Sequence, residues 1–234
     1  MSAYVFAAES VRKRFGQRWV LQAAGIWASA GRIAVLLGSN GSGKTTLLRI
    51  AVGLLRASYG IVIFDDLRTQ KPRLADLARR GLLYLPSSFL CCHHYTVRAH
   101  LRAVAHRFPE ARVDDAIALL RLEPLLDRRA RTLSGGERRR TDVAIALARQ
   151  PRCLLADEPF HGMMPVDIEL ISAALRRLVQ QGSAVCVTGH EVRPLLAVAD
   201  DVYWMTAGTT HLLGSPERAR QHEQFQREYL NRRV

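Results

Sequence analysis

The segment from Gly31 to Leu54 restricts the fold more than any other part of the chain. Residues 31–38 read GRIAVLLG, an apolar run with the length and composition of a buried parallel strand. The run continues into GSNGSGKTT at residues 38–46, and apolar residues then recur at helical spacing: Leu47, Leu48, Ile50, Ala51 and Leu54. A strand, a glycine-rich loop and a helix in this order predict a phosphate-binding loop.

The chemistry of such a loop assigns a role to each of its residues. Its glycines let backbone N–H groups curl around phosphates, and the helix that follows points its positive end at them. Lys44 is placed to reach the β- and γ-phosphates of a nucleotide, and Thr45 to offer its hydroxyl to Mg²⁺. The residues predicted to bind the nucleotide are Gly38, Ser39, Asn40, Gly41, Ser42, Gly43, Lys44, Thr45 and Thr46.

Two further apolar segments predict strands that end in polar residues. Residues 153–156 lead to Asp157, predicted to hold Mg²⁺, and to Glu158, predicted to orient and polarise an attacking water. Residues 184–188 lead to His190, and we expect this strand to lie beside the two phosphate-site strands. A lone histidine is more often structural. At the carboxyl end of a parallel strand, where ligands bind, we favour a role at the γ-phosphate.

The segment between these strands has helical periodicity. Apolar residues recur at intervals of three and four in two runs, the first Val97, Leu101, Val104 and Phe108 and the second Val113, Ile117 and Leu120. The sequence LSGGERRR at residues 133–140 then runs into a predicted helix at residues 141–149. Ser134 and the two glycines after it could form a second anion site at a helix start, or equally a tight turn with a helix cap.

Composition excludes several classes of protein and favours anionic partners. With 48% hydrophobic and 24% charged residues, the chain is neither disordered nor collagen-like. No apolar run approaches the roughly 20 residues that cross a bilayer, and the first residues lack the order of a signal peptide. A net charge of +13 suits nucleotides, nucleic acid or an anionic membrane face, but the arginines are scattered along the chain, so charge alone does not decide the partner. The four cysteines have no disulfide spacing, so we expect a cytoplasmic protein.

The motifs GSNGSGKTT, LSGGERRR, LLADEP and VTGHE, in this order, resemble the nucleotide-binding subunit of ABC transporters. The resemblance extends from Phe6 to about Leu230. The sequence around LSGGE is most similar to that of the lipopolysaccharide-export and branched-chain amino acid uptake ATPases. The resemblance implies an α/β fold: a P-loop NTPase core with a RecA-like, mainly parallel sheet, an N-terminal antiparallel β subdomain and an inserted helical subdomain near residues 88–145. Residues 1–234 would form a single ABC ATPase domain.

The resemblance also implies roles for individual residues. Phe15 matches the aromatic residue that stacks on adenine, with a core phenylalanine as the alternative. Ser134, Gly135 and Gly136 match the signature motif, which contacts the γ-phosphate bound on the opposite subunit. Catalysis would therefore need a head-to-tail dimer with two ATP molecules at its interface. His190 matches the histidine that holds the γ-phosphate together with Glu158.

The implied activity is ATP hydrolysis coupled to translocation, with ATP and Mg²⁺ bound. The implied partners are transmembrane permease subunits and a second nucleotide-binding subunit, which is either another copy or a different chain. The subunit would lie on the inner face of the cell membrane, and no nucleic acid is expected. The alternatives are a soluble ABC-type ATPase that acts on nucleic acid or ribosomes, and a poorly hydrolysing regulatory subunit.

Two positions depart from the family pattern. Ser87 stands where the family has the glutamine that touches Mg²⁺; its hydroxyl can still bind Mg²⁺ or water, but it has a shorter reach. Met164 stands where an aspartate helps to organise the dimer interface. Since the residues that would perform the chemistry remain, we predict an active but slow ATPase.

The remaining segments carry weaker predictions. Cys91, Cys92, His93 and His94 have zinc-binding side chains, but adjacent residues rarely point at one ion, and a solvated loop is favoured. Residues 1–30 predict a strand hairpin, and residues 59–65 predict another strand of the same β subdomain. Residues 216–233 predict a charged helical tail.

Overall fold

The computed structural model describes residues 4–230, and within this range the chain builds one ten-stranded mixed sheet with helices on both faces. The strand order is β5-β4-β1-β2-β10-β9-β3-β8-β7-β6. The strands are β1 Phe6–Phe15, β2 Arg18–Ala28, β3 Ile33–Gly38, β4 Tyr59–Phe64, β5 Leu67–Thr69, β6 Leu82–Leu85, β7 Cys153–Asp157, β8 Ala184–Gly189, β9 Asp201–Thr206 and β10 Thr209–Gly214.

The helices occupy the connections between these strands and the end of the described chain. They are α1 Lys44–Ala51, α2 Leu74–Arg79, α3 Val97–Arg107, α4 Val113–Leu119, α5 Gly135–Arg149, α6 Pro165–Gln180, α7 Val192–Val198, α8 Pro216–Gln221 and α9 Glu223–Phe225. Short 3₁₀ turns lie at Glu123–Leu125 and Ala130–Thr132, and one π-helical turn lies at Gln226–Leu230. No helix among residues 4–230 is both long enough and apolar enough to cross a bilayer.

The sheet has two regions of different character. Strands β1, β2, β4 and β5 pair antiparallel, whereas β6, β7, β8, β3 and β9 run parallel. A single parallel pair between β10 and β2 joins the regions. The fold class expected from the sequence, an α/β core with a mainly parallel sheet and an antiparallel N-terminal region, is confirmed.

Strand β3 separates two hydrophobic clusters because its side chains alternate between the faces of the sheet. Ile33, Val35 and Leu37 pack into the cluster beneath α5 and α6. Ala34 and Leu36 pack into the cluster on the other face, with α1 and the antiparallel strands. A strand buried on both faces needs an unbroken apolar sequence, which explains the run before the glycine-rich loop.

The predicted position of β8 is confirmed: it pairs with β3 on one side and with β7 on the other. The carboxyl ends of these three strands therefore lie side by side. Each end carries one of the motifs predicted to act on a nucleotide. The order of strands thus brings together side chains that are more than 100 residues apart in sequence, such as Thr45 and Asp157.

Several boundaries differ from the sequence prediction. Helix α5 begins at Gly135, six residues before the predicted start at Thr141, because Ser134 and Glu137 form a capping box around its first turn. Strands β9 and β10 were not predicted; they form a hairpin through Ala207 and Gly208, both at positive φ.

The two ends of the chain also differ from the prediction. The tail breaks at His222 into α8 and α9, so it is not one continuous helix. The ends of the predicted hairpin and tail, residues 1–3 and 231–233, lie outside the described residues.

Candidate nucleotide site

The loop from Gly38 to Lys44 is closed by its own lysine side chain. Lys44 is only 3% exposed, and its Nζ donates hydrogen bonds to the carbonyls of Gly38 (2.9 Å) and Ser39 (3.1 Å). Gly43 has φ +112°, and a Cβ there would lie 2.6 Å from Leu21 Cδ2. Glycine is therefore required at this position both by backbone conformation and by close packing.

Asp157 lies at the end of β7, beside the first turn of α1. Its Oδ1 accepts hydrogen bonds from Thr188 Oγ1 (2.6 Å) and Thr45 Oγ1 (3.1 Å). Burial raises the pKa of Asp157, while these two hydroxyls oppose the rise. Oδ2 is buried and accepts no hydrogen bond within residues 4–230. A buried carboxylate oxygen that accepts no hydrogen bond, next to a threonine hydroxyl, is the kind of oxygen donor that Mg²⁺ prefers.

Glu158 follows directly and has an unusual backbone conformation, with φ +50°. Its N–H bonds to Thr188, with the carbonyl at 3.1 Å and Oγ1 at 3.2 Å. A left-handed residue other than glycine is strained and persists where its surroundings hold it. The Glu158 side chain lies beside the glycine-rich loop, where Lys44 Nζ is 3.6 Å from Oε1.

His190 reaches the same carboxylate from the end of β8. Its Nδ1 lies 3.7 Å from Glu158 Oε1, and its Nε2 lies 3.5 Å from Glu191 Oε1. Glu191 also contacts His161, whose Nδ1 lies 3.2 Å from the same Oε1. Two positively chargeable groups, Lys44 and His190, thus converge on one oxygen of Glu158.

A cavity of about 500 Å³ opens beside the loop and holds Phe15 at its edge. Its lining includes Asn40, Lys44, Thr45 and Glu158. Phe15 is 48% exposed, so it is not the core phenylalanine that was the alternative prediction. Its exposed ring shares this cavity with the loop.

Ser134, Gly135 and Gly136 begin α5 and do not line this cavity. The Ser134 hydroxyl accepts from the Glu137 N–H (3.1 Å), and the Glu137 carboxylate accepts from the Ser134 N–H (2.7 Å). Both sequence alternatives are compatible with this arrangement, since a capped turn leaves Ser134 and Gly135 exposed at the start of a 15-residue helix.

The two residues that depart from the family pattern are both exposed. Ser87 follows β6, and its carbonyl accepts from Arg139 Nη2 at 2.6 Å. It borders a groove that also contains Thr45. Met164 is 67% exposed at the N-cap of α6, where its side chain caps nothing.

The Cys91–His94 segment does not form a metal cluster within residues 4–230. Cys91 is buried, and the three residues after it are exposed. The structure does bring together Glu158, His161 and His190, whose candidate ligand atoms lie within 4.8 Å of one another.

Three residues at this centre were not singled out from the sequence. Thr188 holds both Asp157 and Glu158, while Glu191 links His161 to His190. The available signal was position: polar residues that follow an apolar parallel strand lie at its carboxyl end, where ligands bind.

Comparison with known proteins agrees with this geometry. Residues 21–161, more than half of the chain, match the family described as ABC transporter. The lipopolysaccharide export system ATP-binding proteins LptB of Haemophilus influenzae and Escherichia coli K12 are each 34% identical to the chain. The alignments cover 97% and 95% of both sequences, respectively.

Solved structures give the same fold. An ATP-binding cassette of an ABC transporter in its ADP conformation superposes with a TM-score of 0.82 at 23% identity, over 94% of each chain. A nucleotide-free cassette gives a TM-score of 0.81 at 23% identity. The chain belongs to the ABC transporter family, as an ATP-binding subunit that hydrolyses ATP.

Proposed function

We propose that Glu158 accepts the proton of the water that attacks the γ-phosphate, while Lys44 and His190 orient the reacting groups. The observation that carries this assignment is the convergence of Lys44 Nζ (3.6 Å) and His190 Nδ1 (3.7 Å) on Glu158 Oε1. Attack forms a bond from the water oxygen to the γ-phosphorus and breaks the bond to the bridging oxygen. The products are ADP and phosphate, and charge stabilisation carries most of the catalysis.

Asp157 and Thr45 would hold Mg²⁺, because one carboxylate oxygen of Asp157 is buried and accepts no hydrogen bond within residues 4–230. Bound there, the ion supplies positive charge beside the phosphates. Ser87 lines the same groove as Thr45. Its side chain is shorter than that of a glutamine and would extend less far toward the ion. Slow turnover is the expected consequence.

The loop from Gly38 to Thr46 would bind the phosphates and Phe15 would stack on adenine. Support comes from the exposed Phe15 ring at the edge of the loop cavity. Aromatic stacking is tolerant of base identity but requires a planar ring. Phe15→Ala should therefore raise the KM for ATP several-fold, and Phe15→Tyr should not.

Glu158→Gln tests the assignment of the base. Glutamine keeps the size of the side chain but cannot take a proton, so we expect turnover to fall by about 10²-fold or more. Glu169→Gln is the matched control, since Glu169 is an exposed glutamate of the nearby helix α6. Equal turnover in wild type and Glu158→Gln would refute the proposal.

The signature residues Ser134, Gly135 and Gly136 would complete the nucleotide site of a second chain. Support comes from their position: they open a 15-residue helix and lie outside the cavity of their own phosphate loop. We propose a head-to-tail dimer in which two ATP molecules lie between a loop of one chain and a signature of the other. Residues 1–234 would act as one domain, with a helical subdomain near residues 88–145.

Mixing two inactive variants tests this arrangement directly. A Lys44→Ala chain cannot hold the phosphates, and a Ser134→Arg chain cannot serve its partner. In a mixed head-to-tail dimer, one site combines the intact loop of the second chain with the intact signature of the first. Mixing should restore a substantial fraction of turnover. If each site were built within one chain, the mixture would remain as inactive as its components.

A permease helix would dock in the groove between the sheet and helices α2 and α5. This groove has a volume of about 650 Å³ and includes Leu54 and Leu90, which are 48% and 39% exposed. Thr45 and Ser87 also line it, so a docked helix would touch the neighbourhood of the phosphate loop. Docking would hold the subunit on the inner face of the membrane.

Leu54→Asp tests the docking groove. The change should reduce recovery of the chain with membrane proteins from detergent extracts and leave turnover of the isolated subunit intact. Leu212→Asp is the control, because Leu212 is 61% exposed on β10 and lies outside the groove.

The type of transporter is inferred from the relatives. LptB proteins of the lipopolysaccharide export system align with almost the whole chain. We propose that the permease partner belongs to this export type. A tagged pull-down from native membranes should recover a polytopic permease of that type, and recovery of a permease for a small soluble solute would contradict the assignment.

A further inference from the structure

Three side chains with metal-binding atoms meet at the mouth of the hydrolytic centre. Glu158 and His161 lie in the loop after β7, and His190 lies in the loop after β8. Their candidate ligand atoms lie within 4.8 Å of one another. The two imidazole rings are 5.0 Å apart, and His190 Nδ1 is 3.7 Å from Glu158 Oε1. Neither ATP binding nor hydrolysis, as derived above, uses His161.

A second carboxylate, that of Glu191, contacts both histidines. Glu191 Oε1 lies 3.2 Å from Nδ1 of His161 and 3.5 Å from Nε2 of His190. Metal-binding histidines commonly present one ring nitrogen to the ion and donate from the other to a carboxylate, which fixes the tautomer and raises the basicity of the ligand. Glu191 is placed to do this for two rings at once.

We propose that Glu158, His161 and His190 form a site for one transition-metal dication of the Zn²⁺ class, which inhibits hydrolysis by occupying the Glu158 carboxylate. Two histidines and one glutamate are an established donor set for tetrahedral zinc with a fourth position open to water. The inhibitory part of this inference rests on the proposed role of Glu158 as the base. The binding part rests on geometry alone.

The chemistry of the donors separates this site from the Mg²⁺ site. Imidazole nitrogen favours Zn²⁺, Co²⁺ and Ni²⁺, whereas Mg²⁺ prefers the oxygen donors that Asp157 and Thr45 provide. Mg²⁺ in excess over Zn²⁺, as in a cell, would therefore not occupy the site formed by Glu158, His161 and His190. The two ions would occupy neighbouring but distinct positions.

The three ligand groups must move slightly closer together for the site to bind a metal ion tightly. Zinc bonds of about 2.0–2.2 Å in a tetrahedron place ligand atoms about 3.4 Å apart. His161 is 62% exposed and can rotate inward to close the gap. Lys44 Nζ, 3.6 Å from Glu158 Oε1, repels a dication, and the Glu191 charge opposes that repulsion. We expect weaker binding than at a closed structural zinc site.

Titration of the nucleotide-free full chain with Co²⁺ tests binding without any nucleotide. Tetrahedral Co²⁺ absorbs strongly in the visible range, and Zn²⁺ should then displace it at one ion per chain. His161→Ala should weaken binding about tenfold or more. His94→Ala is the control, since it removes an exposed histidine of the other cysteine- and histidine-rich segment. Absence of the band in wild type, retention in His161→Ala, or loss in His94→Ala would each overturn the site.

Turnover with excess Mg²⁺, with and without Zn²⁺, tests inhibition. Each variant serves as its own reference: the ratio of the two rates should fall in wild type and in His94→Ala, and stay near one in His161→Ala. Equal inhibition of all three would assign the effect to zinc bound to ATP and overturn inhibition at this site. Failure of the hydrolysis mechanism is seen separately, in the comparison of Glu158→Gln with wild type in Mg²⁺ without Zn²⁺.

Discussion

At the scale of residues, Thr188 organises the proposed hydrolytic centre. Its hydroxyl donates to Asp157 Oδ1 at 2.6 Å and accepts from the Glu158 N–H at 3.2 Å. A hydroxyl has one donor and two acceptor lone pairs, so a single buried side chain orients both acidic residues. The left-handed backbone of Glu158 is held by Thr188 on the neighbouring strand, and the Glu158 carbonyl also accepts from the His161 N–H.

The two glycines of the signature have different tolerances for a side chain. A Cβ on Gly136 would lie 2.0 Å from Asp167 Oδ2, whereas a Cβ on Gly135 meets nothing closer than Met163 Cε at 4.0 Å. Asp167 cannot move freely because it pairs with Arg140 at 2.9 Å. We predict that Gly136→Ala lowers the free energy of unfolding by about 1–3 kcal/mol.

Gly135→Ala is the matched control for that prediction, and its free energy of unfolding should be unchanged or slightly higher, because alanine favours helix. Urea unfolding of the two variants and the wild type measures both effects. Equal stability of the two variants would show that Asp167 moves aside.

At the scale of elements, α5 holds the segment that follows β6. Arg139 donates to the carbonyls of Pro86 (2.9 Å) and Ser87 (2.6 Å), and Asp142 accepts from the N–H groups of Leu90 and Cys91. The helix that begins at the signature is thereby bonded to the loop that carries Ser87.

Asp142→Ala should destabilise the protein strongly. Asp142 is fully buried 3.6 Å from Arg139, so removing it leaves a buried guanidinium without its carboxylate and the N–H groups of Leu90 and Cys91 without this acceptor. We predict a loss of about 3–5 kcal/mol in the free energy of unfolding. Asp142→Asn keeps an acceptor for the N–H groups and should lose less. Equal losses in urea unfolding would contradict this account.

The stability difference between wild type and these variants depends on pH through the pKa of Asp142. Burial raises this pKa above its ordinary value of 3.8, so the folded chain holds the proton more tightly than the unfolded chain. Stability from this group is therefore fully present below about pH 3.8 and declines as pH rises through the raised pKa. The stability difference between wild type and Asp142→Asn should shrink as pH rises, and unfolding at several pH values measures it.

Helix α6 begins without a side-chain cap. Met164 at its N-cap has extended φ and ψ of −71° and 155° and is 67% exposed. Aspartate at such a position accepts from the first-turn N–H groups, so Met164→Asp should raise the free energy of unfolding by about 1 kcal/mol. Met164→Ala is the control and should not stabilise. A lower melting temperature for Met164→Asp would indicate that the methionine makes contacts the cap does not replace.

At the scale of the whole molecule, the order of strands creates the site. Strand β8 lies between β3 and β7, so the phosphate loop, the Asp157–Glu158 pair and His190 end at one edge of the sheet. The signature opens α5 outside that cavity. Each chain therefore carries the two halves of the proposed composite site at separate places on its surface. The phosphate loop lies at one place and the signature at the other.

The dimer proposal predicts a nucleotide-dependent change of mass. Glu158→Gln with ATP and Mg²⁺ should elute as a dimer in size exclusion with light scattering, because the nucleotide is held without being hydrolysed. Adding Ser134→Arg to the same chain should return it to a monomer. A dimer that persists in this double variant, or that forms without nucleotide, would contradict assembly through the signature.

Local patterns in the sequence were sufficient to predict the strand, loop and helix around Lys44, and the family resemblance supplied the rest of the fold class. The strand, loop and helix around Lys44 are contiguous, and their apolar spacing follows from burial of β3 on both faces. The carboxylates after β7 and the histidine after β8 were found for the same reason: an apolar strand that ends in a polar residue is a local signal. The family motifs then ordered these pieces.

Only the tertiary structure decided which side chains meet. Thr188 contacts Asp157 across 31 residues, and His161 contacts Glu191 across 30, through strand pairing that no local pattern encodes. The start of α5 depended on reciprocal hydrogen bonds between Ser134 and Glu137, and the hairpin of β9 and β10 depended on pairing with β3. Sequence determined the elements because their patterns are periodic and local, whereas the centre at Glu158 is a product of packing between distant strands.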